Sequence, residues 1–150
     1  MDTVSADVRS RMMAGIKGQN TKPEIAVRKL LHKNGFRFRL HYSGLPGKPD
    51  IVLPRYKLCI FIHGCFWHRH EGCKYTTFPK TKVDFWEKKF SDTQARDRKN
   101  VNALIEKGWR TFEIWECGTK GSTPDLAWLP LAIRDMTIKI LNWPQVKDFN

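Results

Sequence analysis

The alternation of apolar and polar positions divides the chain into helical and extended stretches with short connections between them. TKPEIAVRKLLHKNG, residues 21–35, carries a capping Thr21, a proline in the first turn, Glu24 three residues after the cap and Gly35 as a stop, which predicts a helix. FRFRLHY, residues 36–42, alternates apolar and basic side chains with the period of a strand that buries one face. After the turn SGLPGKP, DIVL and KLCIFIH read as two strands separated by Pro54, Arg55 and Tyr56. The second is nearly continuous in apolar residues, which places it at the centre of a sheet. Residues 64–79 are rich in His, Cys and aromatics without any period, as in a loop organised by something other than its own hydrogen bonds. Helical spacing returns over 83–107, where Phe85, Phe90, Val101, Leu104 and Ile105 are available to a core and Gly108 ends the pattern. WRTFEIWEC reads as a fourth strand, and Thr123 with Pro124 opens a last helix carrying Leu126, Leu129, Ile133 and Ile138, kinked or divided at Pro130. The order predicts an α/β or α+β sandwich with helices packed on a mixed sheet.

No internal repeat, low-complexity tract or long linker interrupts the 150 residues, so residues 1–150 are expected to form one domain. Residues 1–20 would form a basic arm or short helix with Met12, Met13 and Ile16 as its apolar stripe, and residues 122–150 a C-terminal helical segment. With 27 Lys and Arg against 15 Asp and Glu, the formal net charge is +12, which points to a polyanionic partner without separating a nuclease from an architectural protein. A disordered basic tail is excluded by a 41% hydrophobic composition with six Trp and nine Phe. The longest apolar run, 126–133, is interrupted by Pro130 and falls well short of the roughly 18 residues of a membrane span. The charged start MDTVSADVRSRMM does not resemble an export signal, so a cytoplasmic protein is expected.

Four cysteines in a cytoplasmic chain with histidines between them favour metal binding over disulfides. Cys65, His68, His70 and Cys73 fall within nine residues, and Cys117 follows a strand able to return to the same edge. Three thiolates and one imidazole are a common tetrahedral zinc set, and four protein ligands leave no open position, so the ion would be structural. Spacing alone does not choose between His68 and His70. Cys59, inside KLCIFI, is assigned to the core.

Asp50 opens one strand of PGKPDIVL, and the next strand ends in Phe61, Ile62 and His63. Many nucleases hold a divalent ion between an Asp at the start of one strand and an acidic residue on the next, followed two positions on by Lys; here only the first half of that pattern is present. Phosphodiester hydrolysis needs a cation to balance charge in the transition state and a base for the attacking water. Asp50 and the Ile62 backbone carbonyl could hold Mg²⁺, and His63 and His68 could supply the base. Glu24 has the position of a capping-box carboxylate, a role compatible with an active site if the helix start faces it.

Taken together, LPGKPDIV, FIHGCFWHRHEGC, the FW of KVDFWEKK and WECGTKG resemble the very short patch repair DNA mismatch endonucleases, in order over about four fifths of the chain. The resemblance implies a type II restriction-endonuclease-like (PD-(D/E)XK-related) fold, with a central mixed sheet flanked by helices and a structural zinc site. It implies an enzyme that nicks double-stranded DNA beside the thymine of a T:G mismatch left by deamination of 5-methylcytosine. By motif position, Asp50 and the Ile62 carbonyl match the Mg²⁺ site, His63 and His68 the catalytic histidines with His68 as general base, and Glu24 the supporting acidic residue. Cys65, His70, Cys73 and Cys117 match the Zn²⁺ ligands, which selects His70 over His68. Phe66, Trp67 and Trp86 match aromatics that wedge into the base stack, and Met13 lies in an arm that approaches from the other groove. Such an enzyme would act as a monomer near the bacterial nucleoid, with mismatch-repair proteins as possible partners.

Two departures stand out. Ile62 replaces a Thr of some relatives, which is harmless if only its carbonyl serves, and Glu71 with Gly72 lengthen the His70–Cys73 spacing by one residue, with Gly72 expected to absorb the turn. The alternatives are a zinc-stabilised DNA-binding module without cleavage, or a nuclease for another distorted DNA. Asp50 paired with His68 separates the first from an enzyme, because binding alone gives no reason for that pair.

Overall fold

The computed structural model describes residues 20–120 and 125–145. The basic arm with Met13, and the start expected for the last helix at Thr123, lie outside these residues. The described chain runs α1 (Lys22–Lys33), β1 (Arg39–Leu40), β2 (Ile51–Leu53), a 3₁₀ turn (Pro54–Tyr56), β3 (Leu58–His63) and a one-turn α2 (Cys65–His68). It continues through α3 (Val83–Glu106), β4 (Arg110–Trp115), a second 3₁₀ turn (Glu116–Thr119), α4 (Leu129–Arg134) and β5 (Ile140–Trp143).

The five strands lie in sequence order, with β1, β2 and β3 antiparallel and β3, β4 and β5 parallel, so the sheet is mixed as expected. β3 is central and buried along nearly its whole length. Side-chain alternation sorts the core into two faces. Ile51, Leu53, Leu58, Ile60, Phe112 and Ile114 meet Val27 and Leu31 of α1 and Leu129 and Ile133 of α4. Val52, Cys59 and Phe61 meet Leu104 of α3, and burial pushes the Cys59 thiol up to about 12, as suits an inert core cysteine. Among the described residues no helix is long and apolar enough to cross a membrane.

α1 starts where its sequence signals lie: Thr21 Oγ1 accepts the Glu24 N–H, a proline occupies the first turn, and Gly35 takes a left-handed φ of 78° just past the end. Two expectations are corrected. The strand expected over 36–42 is only Arg39–Leu40, because Phe36 and Phe38 turn into the core ahead of it and His41, with φ at 48°, ends the extended run. The C-terminal helical segment expected over 122–150 is, as far as described, a six-residue helix followed by a strand. Pro130 lies in the first turn of α4, starting the helix instead of kinking it. Ile140–Trp143 joins the edge of β4, where Leu141 and Trp143 pack on the core while Ile140 is exposed.

Arg110, at the start of β4, explains how so short a helix is held. Its buried guanidinium donates to the carbonyls of Ala132, Ile133, Asp135 and Ile138 at the end of α4 and beyond it, and to that of Tyr56. It thereby caps the negative end of the helix and ties it to the β2–β3 turn and the approach to β5. Replacing Arg110 by Met keeps the volume and strands these acceptors, so urea unfolding should show a loss of about 3 kcal/mol. A loss below about 1 kcal/mol would mean that water reaches those carbonyls and the guanidinium is dispensable.

Candidate active site and metal centre

The ends of β3 and β4, the start of β2 and the N-terminus of α1 converge on a cavity of 420 Å³. Glu24, Asp50, His63, Trp67, His68 and Asp97 line it, and Lys48, Lys89 and Arg96 stand in its wall together with Asp92 and Glu116. Gly47 shapes the rim: its φ is 79°, and a Cβ there would come within 2.9 Å of Asn100 on α3, so only glycine permits this approach.

Asp50 sits one residue before β2 and its Oδ2 accepts the Ile62 N–H at 2.7 Å, leaving Oδ1 for a cation. Burial pushes its carboxyl above the usual carboxylate range and neighbouring Glu24 adds to this, against the opposing pull of the Ile62 N–H, His63 and His41. Glu24 combines the two roles open to it from sequence. Its Oε2 takes the Asn20 N–H at 2.6 Å and the Arg28 guanidinium at 2.5 Å, bracing the helix start, while Oε1 meets His41 Nε2 at 2.5 Å beside Asp50. Ligand atoms of Glu24, His41 and Asp50 lie within 4.8 Å of one another. Ile62 turns its side chain to the α1 face of the core, so only its backbone is available to the site.

His63 and His68 stack with ring centres 4.2 Å apart, and each is held by a carboxylate. His68 Nδ1 is 2.6 Å from Asp97 Oδ2 on α3, and His63 Nε2 is 3.0 Å from Glu113 Oε2 on β4. A carboxylate accepts and does not donate, so the hydrogen of His68 resides on Nδ1 and its lone pair on Nε2; for His63 the assignment is reversed. A neutral imidazole with a free Nε2 is a competent general base.

Behind this cavity, Cys65, His70, Cys73 and Cys117 bring their ligand atoms within 4.8 Å of one another. His70 Nδ1 lies 3.7 Å from Cys65 Sγ and 3.4 Å from Cys117 Sγ. A tetrahedral ion with bonds of about 2.3 Å to sulfur and 2.0–2.1 Å to nitrogen spans nitrogen–sulfur edges of roughly 3.6 Å, close to the two His70 distances, so the donor set suits a thiophilic metal. His70 Nε2 donates to the Pro144 carbonyl at 2.7 Å, which leaves Nδ1 as the ligating nitrogen, and the ring stacks on Trp115 at 4.3 Å. Gly72 takes a φ of 74° in the lengthened loop, as its sequence position anticipates. Lone thiols here would be stable as protonated groups, since burial is the first cause pushing both Cys65 and Cys117 upward.

The aromatic residues Phe66, Trp67 and Trp86 form one cluster, with centres 5.1–6.0 Å apart, backed by the buried Phe90. Of the pair Phe85 and Trp86, Phe85 is the one left 58% exposed, while Trp86 packs on Phe90. Met13 cannot be placed, since it lies outside the described residues. Sequence reasoning missed Asp97, Glu113 and His41. Asp97 is one of many charged residues on a long polar helix and Glu113 interrupts an apolar strand; only the latter, a polar residue inside RTFEIW, offered a signal.

A central mixed sheet carrying a carboxylate and a carboxylate-held imidazole, with two lysines and an arginine in the same cavity, suits hydrolysis of a phosphodiester, and the relatives agree. The family described as DNA mismatch endonuclease Vsr matches residues 1–74. The chain is 47% identical over 116 residues to the type II nicking enzyme V.XorIIP of Xanthomonas oryzae pv. oryzae, covering 77% of this chain and 85% of that protein. It is 43% identical over 119 residues to the type II nicking enzyme V.NmeAIP of Neisseria meningitidis, covering 79% and 84%. The DNA mismatch endonuclease Vsr of Escherichia coli is 40% identical over 113 residues, covering 75% and 72%. The protein is a DNA endonuclease, a hydrolase. More narrowly, it belongs to the Vsr family of DNA mismatch endonucleases.

The raised carboxyl of Asp50 has a consequence for stability. A carboxyl favoured in its protonated form by folding costs stability once ionised, a cost absent below the ordinary carboxylate range near pH 4 and complete above the raised value. Asp50→Asn, which still accepts the Ile62 N–H, should therefore raise the thermal midpoint of the metal-free protein by a few degrees at pH 7 and by nothing near pH 3. Calorimetry that found the variant less stable at neutral pH would show Asp50 to be a structural anion.

Proposed function

We propose that this endonuclease nicks one strand of duplex DNA beside the thymine of a T:G mismatch arising from 5-methylcytosine deamination, and so starts very short patch repair. The reading includes a PD-(D/E)XK-related fold, Mg²⁺ at Asp50 and the Ile62 carbonyl, and a structural Zn²⁺ on Cys65, His70, Cys73 and Cys117. What carries it is the meeting, in one cavity, of a buried carboxylate with an imidazole whose Nδ1–H is held by Asp97. A DNA-binding module has no use for that pair.

When bound, Mg²⁺ would balance the negative charge that develops around phosphorus. Asp50 would hold it through the oxygen that Ile62 does not engage, with Glu24 fixed behind by Asn20, Arg28 and His41. His68 would take the proton of the attacking water at Nε2, its ring kept in plane by Asp97 on one side and the stacked His63 on the other. Lys48, Lys89 and Arg96 would neutralise the phosphates of the nicked strand. Phe66, Trp67 and Trp86 would enter the base stack, which is cheapest to open at a mismatched step, while the arm with Met13 reaches the opposite groove. A single site suffices for one nick at an asymmetric lesion, so the enzyme would work as a monomer on the nucleoid, with mismatch-repair proteins as partners.

An end-labelled duplex with or without one T:G pair, incubated in Mg²⁺ or EDTA, tests the reaction. The expected result is a nick in the thymine strand of the mismatched duplex in Mg²⁺ alone. Asp50→Ala should lose at least about a thousandfold in rate while still binding DNA, in line with removal of a metal ligand. Equal nicking of the matched duplex, or cleavage of both strands, rules the mismatch reading out. The zinc is tested separately. Elemental analysis should find one zinc per chain, and Cys73→Ala should lose both the metal and several degrees of thermal midpoint; a metal-free wild type that unfolds at the same temperature would refute the structural ion.

A further inference from the structure

The aromatic cluster beside the cavity is assembled around a cation that neither the catalytic site nor the Cys/His centre uses. Arg69 follows α2, with φ at 59°, and its guanidinium carbon lies 3.9 Å from the ring centre of Phe90. The same carbon is 5.6 Å from the centre of Phe66 and 5.6 Å from that of Phe78. Nη1 donates to the Phe66 carbonyl at 3.2 Å and to the Thr77 carbonyl at 2.9 Å. One flat group thus joins three separate segments: the turn that carries Phe66 and Trp67, the stretch after the Cys/His centre, and α3, which carries Trp86 and Phe90.

A guanidinium stacked on one ring and contacting two more is attracted by each ring face, and its planar fork lets it bind carbonyls at its edge at the same time. An aromatic group that is to open a base stack loses affinity for every rotamer it must give up on insertion, so a ring fixed beforehand inserts at lower cost. Phe66 is fixed in this way from two sides, by its own carbonyl and by the face of its ring, and Trp67 and Trp86 pack edge-on or tilted against it. We infer that Arg69 is a positioning residue for substrate discrimination, pre-ordering the aromatic cluster so that it recognises the more easily opened step of a mismatched duplex. This rests on the proposal that these aromatics enter the DNA.

The test uses the full chain in Ca²⁺, where binding is read without turnover, and a duplex with 2-aminopurine next to the T:G pair, which brightens as it unstacks. Wild type should brighten the probe and Trp67→Ala should not; a wild type that leaves the probe dark refutes the insertion reading and this inference with it. With insertion established, Arg69→Ala should reduce the brightening at saturation and lower the preference for T:G over matched duplex about tenfold, a change of about 1.4 kcal/mol. Under turnover in Mg²⁺ the loss should appear chiefly in KM for the mismatched duplex and little in kcat, while in Ca²⁺ affinity for matched DNA falls by about twofold, as the removal of one cation predicts. Arg69→Lys keeps the charge without the flat face and should lose about threefold in preference, which provides a second reading should the alanine variant lose its metal or its fold. Wild-type brightening and preference in Arg69→Lys and in a folded Arg69→Ala would overturn the inference, since a residue of purely structural use would lower stability and leave discrimination alone.

Discussion

The parallel pairing of β3 with β4 is the contact on which the rest depends. Its six-residue register runs from Leu58 opposite Arg110 to His63 opposite Trp115. Because side chains alternate, Phe61, His63, Glu113 and Trp115 share the α3 face, while Ile60, Ile62, Phe112 and Ile114 fill the core under α1. A slip of one residue would turn Glu113 away from His63 and Trp115 away from His70. The same pairing sends Cys65 and Cys117 off adjacent strand ends, so the members of the Cys/His cluster farthest apart in sequence are neighbours by construction. Buried apolar side chains of the sheet set the register, and the polar chemistry is appended to the ends.

Charge is distributed in opposition to the chain as a whole. A protein with a net charge of +12 gathers Glu24, Asp50, Asp92, Asp97 and Glu116 around one cavity, and the Ile62 N–H engages one oxygen of Asp50. Glu24 is matched by Arg28 and His41, whereas the raised Asp50 carboxyl reflects burial first, with nearby Glu24 adding to it. Site and surface divide the labour accordingly. The excess of lysines and arginines favours a polyanion of any sequence, whereas the buried carboxylates are suited to a cation and not to phosphate.

Legibility in the sequence followed the range of the forces involved. α1 was readable in full because its cap, proline and terminal glycine all act within a turn of one another, and β3 because its burial is continuous. The three cysteines of the Cys/His cluster were readable from local spacing plus one strand return, whereas spacing left His68 and His70 equal and the family resemblance selected His70. β5 was not, because IKILNW becomes a strand only through the open edge of β4, and the length of β1 was not, because Phe36 and Phe38 are drawn into the core. Asp97 and Glu113 were missed for a related reason: they act 29 and 50 residues away from the histidines they hold, and nothing local distinguishes Asp97 from a solvated charge, while the one sign of Glu113 is its place inside an apolar strand.

The loop that carries most of the chemistry lacks any secondary-structure period, and the fold explains how it can nevertheless be rigid. Cys65 and Cys73 bury beside Trp115, and with His70 and Cys117 they form a donor cluster that could hold a metal ion. His68 and His70 lie two residues apart and face different sites, the first turned to Asp97 and the second to Pro144. Left-handed backbone at Arg69 between them makes this reversal possible, and its side chain continues outward into the aromatic cluster. The consequence is mechanical coupling over three residues: His70 stacks on Trp115, His68 meets Asp97, and Arg69 between them reaches the rings. The His68 imidazole, the Cys/His cluster and the aromatic cluster are therefore tied together, and disturbance of any of them should be felt first in the orientation of the other two.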